Sequence, residues 1–127
     1  MKKFYIVANL KSNQTKSEAK EWLESFKNLK EIKENLVDKE VIICPSFTLL
    51  SFYYSYILDN DIPVKLGAQN VSPFEDGAYT GEVNARQIKE FADYVLVGHS
   101  ERRNNFKEGD EMLSKKVEIC LEHELKP

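Results

Sequence analysis

Cysteine is nearly missing from this chain. There are two, Cys44 and Cys120, far apart and forming no CxxC pair. Such a pair reads as two reduced thiols, Cys44 at the end of a buried strand and Cys120 on a helix face. Long apolar runs are missing too, and none approaches the length of a membrane span. The run Phe4 to Ala8, behind Met1-Lys2-Lys3, is too short for a signal-peptide core and is interrupted at once by Asn9 and Lys11. No sign of charge dominates: 18 basic residues face 21 acidic ones, for a formal net charge of -3. The basic residues are dispersed, with no stripe alternating with aromatics, so neither nucleic acid nor another polyanion is expected as a partner. With no membrane segment, the expectation is a cytoplasmic protein. No Pro/Gly/Ser-rich linker or low-complexity stretch divides the 127 residues, which therefore read as one unit. The 42% hydrophobic and 31% charged fractions are those of an ordinary globular chain.

What is present is an alternation. Phe4-Tyr5-Ile6-Val7-Ala8 is continuously apolar, as a strand buried on both faces would be. Thr15-Lys16-Ser17-Glu18 has the form of a capping box, and Ala19, Trp22, Leu23, Phe26 and Leu29 follow at helical spacing. Val41-Ile42-Ile43-Cys44 is a second strand, stopped by Pro45. Leu49, Leu50, Tyr53, Tyr54, Ile57 and Leu58 make a second helical stripe. Val64 to Ala68 is a third strand, and a long polar loop runs from Gln69 to about Val83. Asn84 and Gln87 cap a short helix reaching Phe91. Tyr94 to Gly98 is the fourth strand, and Gly109-Asp110 opens a last helix with the stripe Leu113, Val117, Cys120 and Leu121. The order βαβαβαβα predicts an α/β fold with parallel strands and right-handed crossovers. An open doubly wound sheet and part of a (β/α)8 barrel both accept it. A complete barrel takes about 250 residues, roughly twice this chain.

Both architectures place functional groups at the C-terminal ends of the strands. There the sequence puts Asn9-Leu10-Lys11, Gln69-Asn70 and Gly98-His99-Ser100-Glu101-Arg102-Arg103. A helical turn begun by Ser100 and Glu101 would aim free N–H groups back at His99, favouring a neutral ring that donates one N–H to a carbonyl oxygen. Lys11 supplies a fixed positive charge, suited to an anionic substrate and a developing oxyanion, and Asn9 can add a hydrogen bond to the same oxygen.

On these residues the chain resembles the N-terminal half of the triose-phosphate isomerase family. The motifs are Asn9-Leu10-Lys11 (the family favours tryptophan in the middle), Gly67-Ala68-Gln69-Asn70, Gly77-Ala78-Tyr79-Thr80-Gly81-Glu82, and Val97-Gly98-His99-Ser100-Glu101-Arg102-Arg103. They stand in the family's order and span the chain. The resemblance implies the first four β/α units of a (β/α)8 barrel. It implies interconversion of dihydroxyacetone phosphate and D-glyceraldehyde 3-phosphate through an enediolate, with no cofactor or metal. His99 would be the electrophile. Lys11 would bind substrate and offset negative charge, and Asn9 would contact a substrate oxygen. Glu101 would pair with Lys11 at rest, and Ser100 would hydrogen-bond the resting general base. The loop from Gln69 to Val83 becomes a dimer loop, with Thr80 reaching Asn9 and Lys11 of the partner subunit, and with Glu82 and Arg102 bracing the loops by ion pairs.

Two departures matter. Leu10 fills apolar volume but offers no indole N–H. The chain ends at Leu125-Lys126-Pro127, where the family would begin its fifth strand; the family's general-base glutamate, its lid and most of its phosphate-binding amides follow that point. These 127 residues alone are therefore expected to be inactive. Bare edges on strands one and four are expected to make the half self-associate, pair with a complementary C-terminal half, or fold in part. A non-catalytic half-barrel acting by assembly is the main rival. A ligand-binding module of doubly wound fold ranks last, because Asn9-Leu10-Lys11-Ser12-Asn13 contains no glycine.

Overall fold

The computed structural model describes residues 2–27 and 36–127. The elements are β1 (Phe4–Asn9), α1 (Lys16–Lys27), β2 (Lys39–Cys44), α2 (Phe47–Asp59), β3 (Lys65–Ala68), α3 (Ala85–Lys89), β4 (Tyr94–Val95), α4 (Ser100–Asn105) and α5 (Asp110–Glu122). All strand pairs are parallel, and the order β1-β2-β3-β4 follows the chain without reversal. A doubly wound sheet changes direction at a switch point. This one does not, so the four strands form a half-barrel of the (β/α)8 type.

Two helices begin as the sequence predicts. Ahead of α1 the Thr15 N–H donates to Glu18 Oε2 at 2.7 Å, and the Glu18 N–H reaches Thr15 Oγ1 at 3.5 Å. Ahead of α3, Asn84 and Gln87 form a reciprocal capping box. Each box satisfies amides that a helix start leaves without partners. Behind the sheet, Ala19 and Leu23 of α1 and Leu49, Leu50, Tyr53 and Ile57 of α2 are buried against Ile43 and Leu66. Trp22 stacks on Phe26 with ring centres 5.4 Å apart and packs on the same cluster. Leu29, assigned to the α1 stripe, lies outside the described residues. Both cysteines are free and buried, and burial pushes each thiol up to about 11.

Four expectations are corrected. Strand β1 is not buried on both faces: Phe4, Tyr5, Ile6 and Val7 are 49%, 57%, 49% and 48% exposed. The inner face is open, Tyr5 and Val7 lining a cleft with Ile42, Tyr94 and Val95, and β1 also has no strand on its second edge among the described residues whose side chains would flank it. Strand β4 is two residues rather than five. The Leu96 N–H still donates to the Ala68 carbonyl at 2.8 Å, after which Gly98, at φ +77°, turns the chain into α4. Nor does β4 have a bare outer edge: Lys126 bridges Tyr94 in parallel, its carbonyl accepting from the Val95 N–H at 3.0 Å. Finally, the buried face of α5 is Leu113, Lys116, Ile119 and Cys120, whereas Leu121 is 62% exposed and Val117 lies at the surface. The helix is turned so that a lysine, satisfied by partners described below, lies inward.

On the inner face, the Tyr94 hydroxyl donates to Glu40 Oε1 at 2.5 Å, and Lys3 pairs with the same carboxylate. This contact ties β4 to β2 across β3.

Candidate active site

The carboxyl ends of β1, β3 and β4 open on one cleft of about 310 Å³, whose lining includes Asn9, Lys11, Gln69, Asn70, His99 and Glu101. Lys11 stands where β1 has ended, at φ +55°, a left-handed conformation that costs a residue with a side chain energy and needs support. Two contacts supply it. The Lys11 N–H donates to Asn9 Oδ1 at 3.0 Å, and the Lys11 carbonyl accepts from Gln69 Nε2 at 2.8 Å. The same Gln69 nitrogen donates to the Cys44 carbonyl at 2.8 Å, so one amide group joins the ends of β1, β2 and β3.

The Lys11 ammonium points to Glu101, with Nζ and Oε1 2.5 Å apart. That hydrogen bond, helped by the charge of Lys11 and opposed by desolvation, holds the Glu101 carboxyl below the usual carboxylate range. His99 is the N-cap of α4, and its Nδ1 accepts from the Glu101 N–H at 3.1 Å. A ring nitrogen that accepts carries no proton, so in this arrangement the ring proton resides on Nε2 as a donor. Glu101 Oε2 lies 3.7 Å from His99 Nδ1. Backbone and side chain of Glu101 thus fix His99 and Lys11 together.

The cleft brings together Asn9, Lys11, Gln69, His99, Glu101 and Arg102. Ser100 opens α4 from an exposed position and does not line it. Thr80 and Glu82 are exposed on the loop after β3 and do not line it either. Glu82 has no ion pair among the described residues. Arg102 does have one, to Glu108, with Nε and Oε2 2.8 Å apart, and its guanidinium lies over the Phe106 ring at 4.6 Å.

Three residues here were missed in reading the sequence. Lys116 is 4% exposed and donates to Asn70 Oδ1 at 2.7 Å and to Glu108 Oε1. Glu108 joins Lys116 to Arg102 behind the cleft. Burial works to raise its pKa, and the hydrogen bonds from Lys116 and Arg102 outweigh that, leaving it lowered. The available signal was spacing: Lys116 falls three residues after Leu113 and four before Cys120, in line with the buried face. Phe106 left no such signal.

A parallel half-barrel with a lysine, a histidine and three carboxamides gathered where its strands end defines the class: a (β/α)-barrel protein with its polar cleft on the C-terminal rim. Among described residues, no group of histidines, cysteines and carboxylates could hold a metal ion. A model of the family described as triosephosphate isomerase matches residues 4–127, and the chain belongs to that family. It is 41% identical over 128 residues to a triosephosphate isomerase of Dictyoglomus turgidum, covering all of this chain and 49% of that protein. It is 42% identical to one of Aquifex aeolicus, covering 96% of this chain and 48% of that protein. It is 43% identical to one of Treponema denticola, covering 98% and 48% respectively. The chain spans about half the length of the curated relatives it matches.

Proposed function

We propose that this chain supplies the electrophile half of a triose-phosphate isomerase site, which interconverts dihydroxyacetone phosphate and D-glyceraldehyde 3-phosphate through an enediolate. The observation that carries the reading is the joint fixing of Lys11 and His99 by Glu101 in one cleft. A carbonyl oxygen that gains negative charge as a neighbouring carbon loses its proton needs donors already in place. The Nε2–H of His99 and the Lys11 ammonium are such donors. Asn9 adds an amide beside them, and Lys11 also attracts the substrate's phosphate. In this reading no cofactor takes part.

The step also needs a base. Among the described residues lining the cleft, Glu101 is the one carboxylate, and it is committed to Lys11. In the family this chain resembles, the general-base glutamate follows the stretch matched here, and in this reading Ser100 would hydrogen-bond it at rest. The working enzyme would be a cytoplasmic homodimer in which the loop from Gln69 to Val83 inserts into the partner subunit, with Thr80 reaching the partner's Asn9 and the partner's Lys11 and with Glu82 and Arg102 bracing the loops.

The test compares turnover of dihydroxyacetone phosphate by the natural gene product and by residues 1–127 alone. The expectation is turnover by a longer product that contains a base, and a loss of at least about 10²-fold without one. Turnover by residues 1–127 at the rate of a whole enzyme would refute the division of labour. A second reading is a half-barrel that acts by assembling with a complementary half, without catalysis. The exposed apolar residues of β1 favour it. Self-association measured by sedimentation, in a gene product without isomerase activity, would select that reading.

A further inference from the structure

The loop between β3 and α3 is anchored at its base. Val71 and Ser72 are buried, and the Ser72 N–H donates to the Val83 carbonyl at 2.9 Å. From Phe74 to Glu82 every residue is exposed. This arm braces itself: the Phe74 and Tyr79 rings stack 4.3 Å apart, and the Glu82 N–H donates to the Tyr79 carbonyl at 3.0 Å. Its side chains make two polar contacts with the helices among the described residues. Asp76 meets Arg86 at 3.4 Å, close along the chain and exposed on both sides. Glu75 meets His123, on the far side of the molecule's sequence, with both carboxylate oxygens 3.0 Å from Nε2.

His123 is the C-cap of α5, with its side chain 24% exposed. We propose that His123 is the positioning residue of this arm, and that protonation of its ring tightens the hold on Glu75. The consequence for subunit association rests on the reading of the loop as a docking arm; the hold itself does not.

The chemistry sets the sign. A neutral ring offers at most one N–H to one oxygen of Glu75. A protonated ring sets a full positive charge against that carboxylate and against the negative end of the α5 dipole. The charged group in contact with it is Glu75 from the loop; Glu122 and Glu124 adjoin it in the chain, and Lys89 of α3 donates to the Glu124 carbonyl at 3.0 Å while lying 3.8 Å from Asp93. The Glu75 carboxylate in direct contact with the ring favours a tighter contact on the acid side. The Asp76–Arg86 contact has no group that titrates near neutrality.

The test is amide hydrogen exchange across Gly77 to Glu82 in the natural protein, beside H123Q and E75Q, at about pH 6 and pH 8. Taking the ratio of variant to wild-type rates at each pH cancels the intrinsic pH dependence of exchange. Both variants are expected to exchange about threefold faster than wild type at the acid pH, the size of an exposed ion pair, with the ratio falling toward one at the alkaline pH. Glu75 is on an exposed arm, so E75Q leaves the core intact even if H123Q does not fold. A ratio of one throughout, or a ratio equal at the two pH values, overturns the proposal. None of these outcomes depends on turnover.

Discussion

Lys116→Met is the sharpest probe of how the rear of the cleft is held. Methionine keeps most of the apolar stem and removes the ammonium. Glu108, only 7% exposed at its side chain, then retains the single 2.8 Å contact from Arg102, and Asn70 Oδ1 loses its donor. Removing one partner of a buried ion pair costs about 3–5 kcal/mol, because the other charge stays buried. With Arg102 still in place, the lower end, about 3 kcal/mol, is expected. Urea unfolding followed by the fluorescence of Trp22, the chain's single tryptophan, reads it directly. The double variant K116M/E108Q removes the orphaned charge and should regain about half the loss. The pH dependence gives a second check. Glu108 is lowered in the folded state, so its contribution is present above the ordinary carboxylate range and is lost as pH falls through the lowered value. In K116M burial is opposed by Arg102 alone, so the contribution shrinks and the variant approaches wild type as pH falls. A K116M loss below about 1 kcal/mol at neutral pH, the size of an exposed pair, would refute the reasoning.

Other outcomes follow from single residues. Gly98→Ala should destabilise by about 1–3 kcal/mol, since φ is +77° and the new Cβ would meet Leu113 Cδ1 at 3.3 Å; a thermal shift within error would contradict it. Lys107 and Glu124 sit at φ +55° and +56°, so K107G and E124G should each stabilise by about 1 kcal/mol, and a fall in the unfolding midpoint of either would argue against the assigned backbone. Gln69→Leu removes two hydrogen bonds to carbonyls at 2.8 Å and should cost about 1–3 kcal/mol while loosening Lys11. Unchanged stability, together with an unchanged Lys11–Glu101 contact in a structure of that variant, would sink the claim. The Glu101 carboxyl, followed by carbon NMR, should titrate below the ordinary range in wild type and move up in Lys11→Met; identical curves would disprove the pairing.

Much of this was legible in the residues because local signals agreed with the fold. The Thr15–Glu18 and Asn84–Gln87 boxes name their helices from four residues each, and Pro45 ends β2 where its ring denies an N–H. The site was legible as a set of residue types that share one rim, and the rim follows from strand direction alone. What failed depended on neighbours. Phe4 to Val7 look buried from composition, yet burial belongs to whatever lies on both sides of a strand, and β1 has a strand on one side. The α5 stripe was misread because hydrophobicity was taken as the sign of an inward face. Lys116 faces inward because Glu108 and Asn70 are there to receive it, and neither is adjacent to it in the chain.

Lys11 and His99 are held by the Asn9 oxygen, the Gln69 amide, the Glu101 carboxylate and the first turn of α4. Those contacts sit on the C-terminal rim. Exposed apolar side chains lie along β1, from Phe4 to Val7, and also on α2, on α5 and on the loop after β3, with Phe106 at the cleft itself. Covering β1 would add stability, while the contacts that hold Lys11 and His99 are made without it. If the proposed reading holds, a base brought in from elsewhere would meet donors already aimed, the condition under which electrostatic stabilisation costs no reorganisation at the moment of reaction. Under the proposed reading, pre-arrangement on one side of the reacting carbon and supply of the proton acceptor from the other would be separable parts of one mechanism, with Lys11 and His99 belonging to the first.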